Sequence, residues 1–145
     1  MSKRRLRPCP YCGAEVQTRN RYGRAIAECE PCDARAGLNS AHSRHTMQVA
    51  NKIDRRLRQI GHTRSDLLIS AHQALNQCPR NESRGKFYRW LAAELDAPPR
   101  EAHFSVMVGR QLQDALTVIN RWYKPLQRRK RVPAGAKRPL TQGAP

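Results

Sequence analysis

The chain has 145 residues, 28 of them Lys or Arg against 11 Asp or Glu, for a formal charge of +17. No segment approaches the ~20 apolar residues of a membrane span, and the sign of the charge is wrong for a mimic of nucleic acid. Twenty-two of the basic residues are Arg, which grips phosphate bidentately and stacks on bases better than Lys, so the composition predicts a polyanionic partner and an affinity that falls steeply with salt. A merely solvated basic surface is the alternative; clustering of the cations argues against it.

Residues 1–8 form a basic arm. Lys3, Arg4, Arg5 and Arg7 run straight into a cysteine pair rather than an apolar segment, so no secretory leader is expected. With that reading goes a reducing cytoplasm, where paired cysteines hold metal before they form disulfides.

Cys9-Pro10-Tyr11-Cys12-Gly13 and Cys29-Glu30-Pro31-Cys32 are two Cys-x-x-Cys pairs separated by 16 residues. That spacing predicts a zinc ribbon over residues 9–40, with one structural Zn²⁺ held by Cys9, Cys12, Cys29 and Cys32. Gly13 supplies the positive φ that such a knuckle needs. Four thiolates and one dication contribute −2, which lowers the expected charge from +17 to about +15. Thioredoxin-like chemistry fits less well, since it uses one pair on a βαβ unit. A ribbon of about 35 residues buries too little apolar surface to fold alone, so the metal must supply much of its stability.

Between the pairs, Glu15–Thr18 reads as a strand, Asn20 to Gly23 as its turn and Arg24–Ala27 as the returning strand. Arg19, Arg21 and Arg24 surround Tyr22 near the tip. Such a group can hold backbone phosphates and stack on a base; the alternative is a solvated turn with Tyr22 packed on the knuckle. Asn39–Thr46 is a polar linker, and its His42 and His45 read as solvated because four thiolates already saturate a zinc.

A helical period begins at Met47 and defines a second unit, residues 47–124, of three to four helices. Met47, Ala50, Ile53, Leu57 and Ile60 share one face, Arg55, Arg56 and Arg58 form a basic run, and Gly61 ends the helix. Thr63–Asp66 caps a second helix carrying Leu67, Leu68, Ala71, Ala74 and Leu75, with Pro79 beyond its end. Ser83 caps a third, with Phe87, Leu91 and Leu95 on one face flanked by Tyr88 and Ala92, closed by Pro98-Pro99. The last runs from Ser105 to Pro125 with Val108, Leu112, Ala115, Leu116, Ile119 and Trp122 at helical spacing. Residues 126–145 hold Arg128, Arg129, Lys130, Arg131, Lys137 and Arg138, with almost no large apolar residues, and read as a disordered basic tail. The fold class expected is therefore a small zinc-ribbon β-hairpin followed by a mainly α-helical domain, α+β and zinc-stabilised.

The Cys9-Pro-Tyr-Cys-Gly13 knuckle, Tyr22-Gly23-Arg24, Cys29-x-Pro31-Cys32-Asp33-Ala34 with Gly37, then Ala71-His72, Tyr88-x-Trp90-Leu91-Ala92 with Leu95, and His103 together resemble an uncharacterised zinc-finger-containing protein family of bacteriophages and bacteria. The resemblance spans about residues 9–120, with extra basic helix before His72 and Ser105 where a glycine is the pattern. It implies a bound zinc and a phage-like origin, and no activity.

Only His72 and His103 invite an enzymatic reading; as a pair between helices they could bind metal or exchange protons, and otherwise they are hydrogen-bonded core or capping residues. The acids form no converging carboxylate pattern for a hard cation, no Gly-rich phosphate loop is present, and a four-thiolate zinc has no open position for catalytic water. Three functions remain in order. The first is a regulatory nucleic-acid-binding protein, DNA before RNA, using Arg19, Arg21, Tyr22, Arg24, Arg55, Arg56, Arg58 and the tail residues Arg128, Arg129, Lys130 and Arg131. The second is an adaptor or inhibitor docking on a host transcription or defence complex through exposed Tyr88, Trp90 or Trp122. The third is a His-dependent nuclease.

Overall fold

Two cysteine knuckles, a hairpin and three long helices make up residues 6–38 and 48–131, the part of the chain that the computed structural model describes. The first segment forms an antiparallel sheet of three strands, β1 (Gln17–Arg21), β2 (Arg24–Cys29) and β3 (Ala34–Gly37), in that spatial order. β1 and β2 pair from Gln17 opposite Glu28 to Arg21 opposite Arg24. Their two-residue turn is Tyr22-Gly23, with φ of 52° and 75°, the pair of positive values that lets a tight turn follow the strand twist. The pairing therefore reaches the tip, and β1 lies further along the chain than the predicted Glu15–Thr18.

β3 has no counterpart in the sequence reading. Ala34-Arg35-Ala36-Gly37 contains no β-branched residue, so its propensity is poor; partners on both sides make it a strand. It pairs with β2 through Ala36 opposite Ala27 and Ala34 opposite Cys29. On its other side Arg35 and Ala50 exchange backbone bonds of 2.9 and 3.1 Å. That bridge joins the ribbon to the helical unit just before the first helix.

The second segment contains α1 (Lys52–Asn76), α2 (Arg80–Glu94) and α3 (Gly109–Arg131). α1 is a single helix where two were expected, and Gly61 does not end it. A Cβ at Gly61 would lie 2.4, 2.7 and 2.9 Å from three ring carbons of Phe104, so the glycine is a notch for that ring. The helix starts at Asn51, not Met47: the Asn51 side chain accepts from the Asp54 N–H at 2.9 Å, a side-chain cap for an otherwise unpaired donor. Its buried residues are Asp54, Arg58, Gly61, Ser65 and Ile69. Those positions recur at helical spacing, but four of the five are polar or glycine, so a search for apolar periodicity passes over them. Ile53, assigned to the core, is 70% exposed, and Leu75 is 84% exposed.

α2 begins directly after Pro79, not at Ser83, which is buried within its first turn. The expected face is retained around Leu91, with Tyr88 and Ala92 buried and Phe87 and Leu95 at the margin. α3 begins at Gly109, whose φ is 56°, rather than at Ser105. It continues through Pro125 to Arg131, six residues into the segment predicted to be disordered. Arg128, in the last turn, places positive charge near the negative end of the helix dipole, which favours the extra turn.

The apolar interior has two parts. Val16, Ala27, Ala34 and Val49 pack around Cys9 and Cys29 in the ribbon, while Phe104, Met107, Leu112, Ala115 and Ile119 centre the helical core with Ile69 and Leu91. Residues 1–5 of the basic arm, the linker with His42 and His45, Met47, and residues 132–145 with Lys137 and Arg138 lie outside the described residues, as do the side chains of Arg129, Lys130 and Arg131.

Candidate metal centre and cationic surface

The first knuckle is closed by backbone bonds from Gly13 to Cys9 at 2.8 Å and from Cys9 to Ala14 at 2.9 Å. Gly13 has φ 76°, as its position in the motif required. The second knuckle is a short 3-10 turn, Glu30–Cys32, closed by the Asp33 N–H on the Glu30 carbonyl at 3.0 Å with Asp33 left-handed. These two curls bring the sulfurs of Cys9, Cys12, Cys29 and Cys32 within 4.8 Å of one another. A sulfur tetrahedron around zinc, with bonds of about 2.3 Å, has edges of about 3.8 Å; the Cys12 and Cys29 sulfurs are 3.6 Å apart. Cys9 and Cys29 are buried, Cys32 partly so, and Cys12 faces solvent.

As thiols the four compete. Hydrogen bonding with Cys12, then burial, pushes Cys32 up to about 12. Burial also raises Cys29, while a backbone hydrogen bond from Ala14 lowers Cys12. A dication removes the conflict by stabilising all four as thiolates. Geometry and donor chemistry both fit, and the cysteines form one structural zinc site whose four positions are all taken by sulfur.

A polar network ties this site to the helices. The Tyr11 hydroxyl, between the first two ligands, donates to the Asp54 carboxylate and accepts from the Asn51 N–H at 3.0 Å. Burial first, then the bond to Asp54, pushes its pKa up to about 12, which keeps the donor protonated. Asp54 also accepts from the Gly109 N–H at 3.1 Å. One carboxylate thus holds the knuckle, the start of α1 and the start of α3. Tyr11, Asn51 and Asp54 have no site role in the sequence reading, although Asn51-x-x-Asp54 is a recognisable helix-start pattern.

Several arginines expected to face phosphate have partners within the molecule, Arg58 in a buried site, Arg55 in a part-buried one, and Arg19 and Arg21 while still exposed. Arg58 is 9% exposed and its Nε donates to the Met107 carbonyl at 3.0 Å; burial pulls its pKa down to about 10, partly offset by Tyr11 and Asp54. Arg55 donates to the Asp33 and Ala50 carbonyls at 2.6 and 2.8 Å, stapling α1 to the second knuckle. Arg19 pairs with Glu30 at 2.9 Å and Glu28 at 3.5 Å, and Arg21 pairs with Glu28 at 3.1 Å. Tyr22 is fully exposed and does not pack on the knuckle. Arg24 and Arg56 stay exposed, with no carboxylate partner among the described residues. Arg128 is also exposed.

The charge is consequently uneven. Residues 6–38 carry five Arg against four acids, and the zinc-thiolate centre adds −2, leaving the ribbon near neutral at −1. Residues 48–131 carry 17 Lys and Arg against seven acids, a net of +10. On α3, Arg121, Lys124 and Arg128 recur along one stripe.

The two histidines have different neighbours. His72 Nδ1 lies 2.9 Å from the Ser83 hydroxyl, and the His103 ring sits 4.9 Å from that of Tyr88. Of the expected aromatic anchors, Tyr88 is buried and Trp90 partly covered, whereas Trp122 is 53% exposed.

Fold and site define a zinc-ribbon protein, a three-stranded sheet closed on a four-cysteine centre and joined to three helices. Residues 5–122 match the family described as a zinc-finger-containing domain, and the chain belongs to that family. No curated protein and no solved structure matches it. No described helix is long and apolar enough to cross a membrane.

Proposed function

We propose that the protein binds nucleic acid, with duplex DNA as its first target, and that the grip lies on the helical unit rather than on the ribbon. The segregation of charge carries this reading: a near-neutral ribbon beside a helical segment of net +10. Arg56 on α1, Lys86 and Arg89 on α2, and Arg121, Lys124 and Arg128 on α3 are cations with no carboxylate partner among the described residues. The covalently adjacent run Arg129–Arg131 extends the same end of α3. Contacts of this kind position a protein on phosphate without reading sequence.

The ribbon then acts as a brace. Zinc fixes the first knuckle, Tyr11 and Asp54 transmit that position to the starts of α1 and α3, and Arg55 fastens the second knuckle. At the ribbon's hairpin tip Tyr22 and Arg24 remain exposed, with no carboxylate partner for Arg24 among the described residues. A regulatory role is part of this proposal, and a phage-like origin accompanies it as what the family resemblance implies.

The test is a gel-shift titration of random-sequence duplex over a salt series. Each neutralised phosphate contributes about −0.9 to the slope of log K against log salt, so six phosphate contacts predict a slope of about −5. Absence of binding at low salt would remove the proposal.

A further inference from the structure

A groove of about 600 Å³ opens between α1, α2 and α3, within the size range of small-ligand sites. Phe87, Trp90 and Trp122 form an aromatic wall: the Trp90 and Trp122 rings are 4.2 Å apart, and Phe87 lies 5.7 Å from Trp90. Lys86 and Arg121 supply the lining's only full charges, both positive, and no Asp or Glu lines it among the described residues. His72 also faces the groove; its Nδ1 is engaged by Ser83, which leaves Nε2 as the ring's second hydrogen-bonding atom.

We infer that this groove receives an unpaired base of single-stranded nucleic acid, stacked on Trp122 with its phosphates held by Lys86 and Arg121. The inference rests on the nucleic-acid reading above and adds to the duplex grip a separate site for an unpaired base. Three features select this occupant. Trp122 presents half of its surface to solvent beside a second indole, and a π-face is what a base stacks on. The rim is purely cationic, so the occupant is anionic. The two cations are exposed and stand on different helices, Lys86 on α2 and Arg121 on α3, so successive phosphates of a continuous chain can meet them. An aliphatic anion would gain apolar burial there but no stacking on the indole faces, and a protein segment would need an acidic rim around its apolar anchors.

Both tryptophans of the chain are in this groove, so tryptophan fluorescence, excited selectively over the four tyrosines, reports on it. The zinc-loaded protein is titrated with an oligothymidylate single strand, with a blunt duplex of equal length and with dodecanoate. The expected result is quenching by the single strand. Trp122→Ala should weaken single-strand affinity by roughly tenfold, Trp122→Phe should restore most of it, and duplex affinity should stay within about twofold in both. Trp122 is half exposed, so these variants are expected to fold; zinc content and circular dichroism verify it. Single-strand binding without quenching, an unchanged affinity in Trp122→Ala, or quenching by dodecanoate alone would overturn the inference while leaving duplex binding intact. Binding of neither polymer would overturn both this inference and the proposed function.

Discussion

Replacing Gly61 by Ala separates two physical effects that point in opposite directions. In the middle of a helix, alanine is favoured over glycine by about 1 kcal/mol, so on propensity alone Gly61→Ala stabilises. The added methyl, however, would stand 2.4 to 2.9 Å from three carbons of the Phe104 ring. That ring is 1% exposed and belongs to the main core cluster with Met107, Leu112 and Ile119. It is not the loose end of a flexible chain and can yield only by displacing packed neighbours. Overpacking of this kind costs about 1–3 kcal/mol, and three contacts under 3.0 Å place this case at the upper end. The expected net effect is a loss of about 2 kcal/mol, or roughly 10 °C in Tm for a unit of this size. Thermal and urea unfolding of the zinc-loaded protein, followed by circular dichroism, measure it. Adding Phe104→Leu to Gly61→Ala should recover part of the loss, giving a non-additive cycle. A Gly61→Ala protein at least as stable as the parent would show that the ring moves freely and that α1 does not need its notch.

Further outcomes follow from the zinc site and its connections. One zinc per chain is expected, and a strong chelator should abolish amide protection in residues 9–37 while leaving most of the helical signal, because the helical core shares no residue with the ribbon core; loss of all structure together would contradict two separate cores. Tyr11→Phe should keep zinc stoichiometry and cost about 1–2 kcal/mol, since it leaves the Asp54 carboxylate and the Asn51 N–H short of a partner. Asp54→Ala should cost about 3 kcal/mol by removing the acceptor shared by Tyr11 and Gly109 and the carboxylate that offsets buried Arg58; unfolding curves that match the parent would sink that account of the network.

Much of the site was legible because ligand spacing is local. The two Cys-x-x-Cys pairs and Gly13 specify their own geometry, and Leu112, Ala115 and Ile119 on α3 announce a core face by period alone. α1 was not legible in the same way. Its inward stripe is Asp54, Arg58, Gly61, Ser65 and Ile69, and no hydropathy pattern marks Asp and Arg as interior. The roles of Arg19, Arg21 and Arg55 depend on which carboxylate or carbonyl stands opposite. For the first two that depends on strand register, fixed by the Tyr22-Gly23 turn; for Arg55 it depends on the bridge between Arg35 and Ala50. Pro125 misled in another direction: a rule about helix interiors ended α3 there, whereas the helix continues to Arg131, with Arg128 in the last turn suited to its negative end.

The central claim is that a zinc-braced helical unit, not the ribbon hairpin, carries the cationic grip. It is tested most directly by comparing the salt dependence of duplex binding for Lys124→Gln with Arg128→Gln against that for Arg19→Gln with Arg21→Gln. The first pair should flatten the slope by about 1.8, two phosphates at about 0.9 each, and the second should leave it unchanged because those arginines already serve Glu28 and Glu30. A flattened slope in the hairpin pair with a parental slope in the α3 pair would contradict the account.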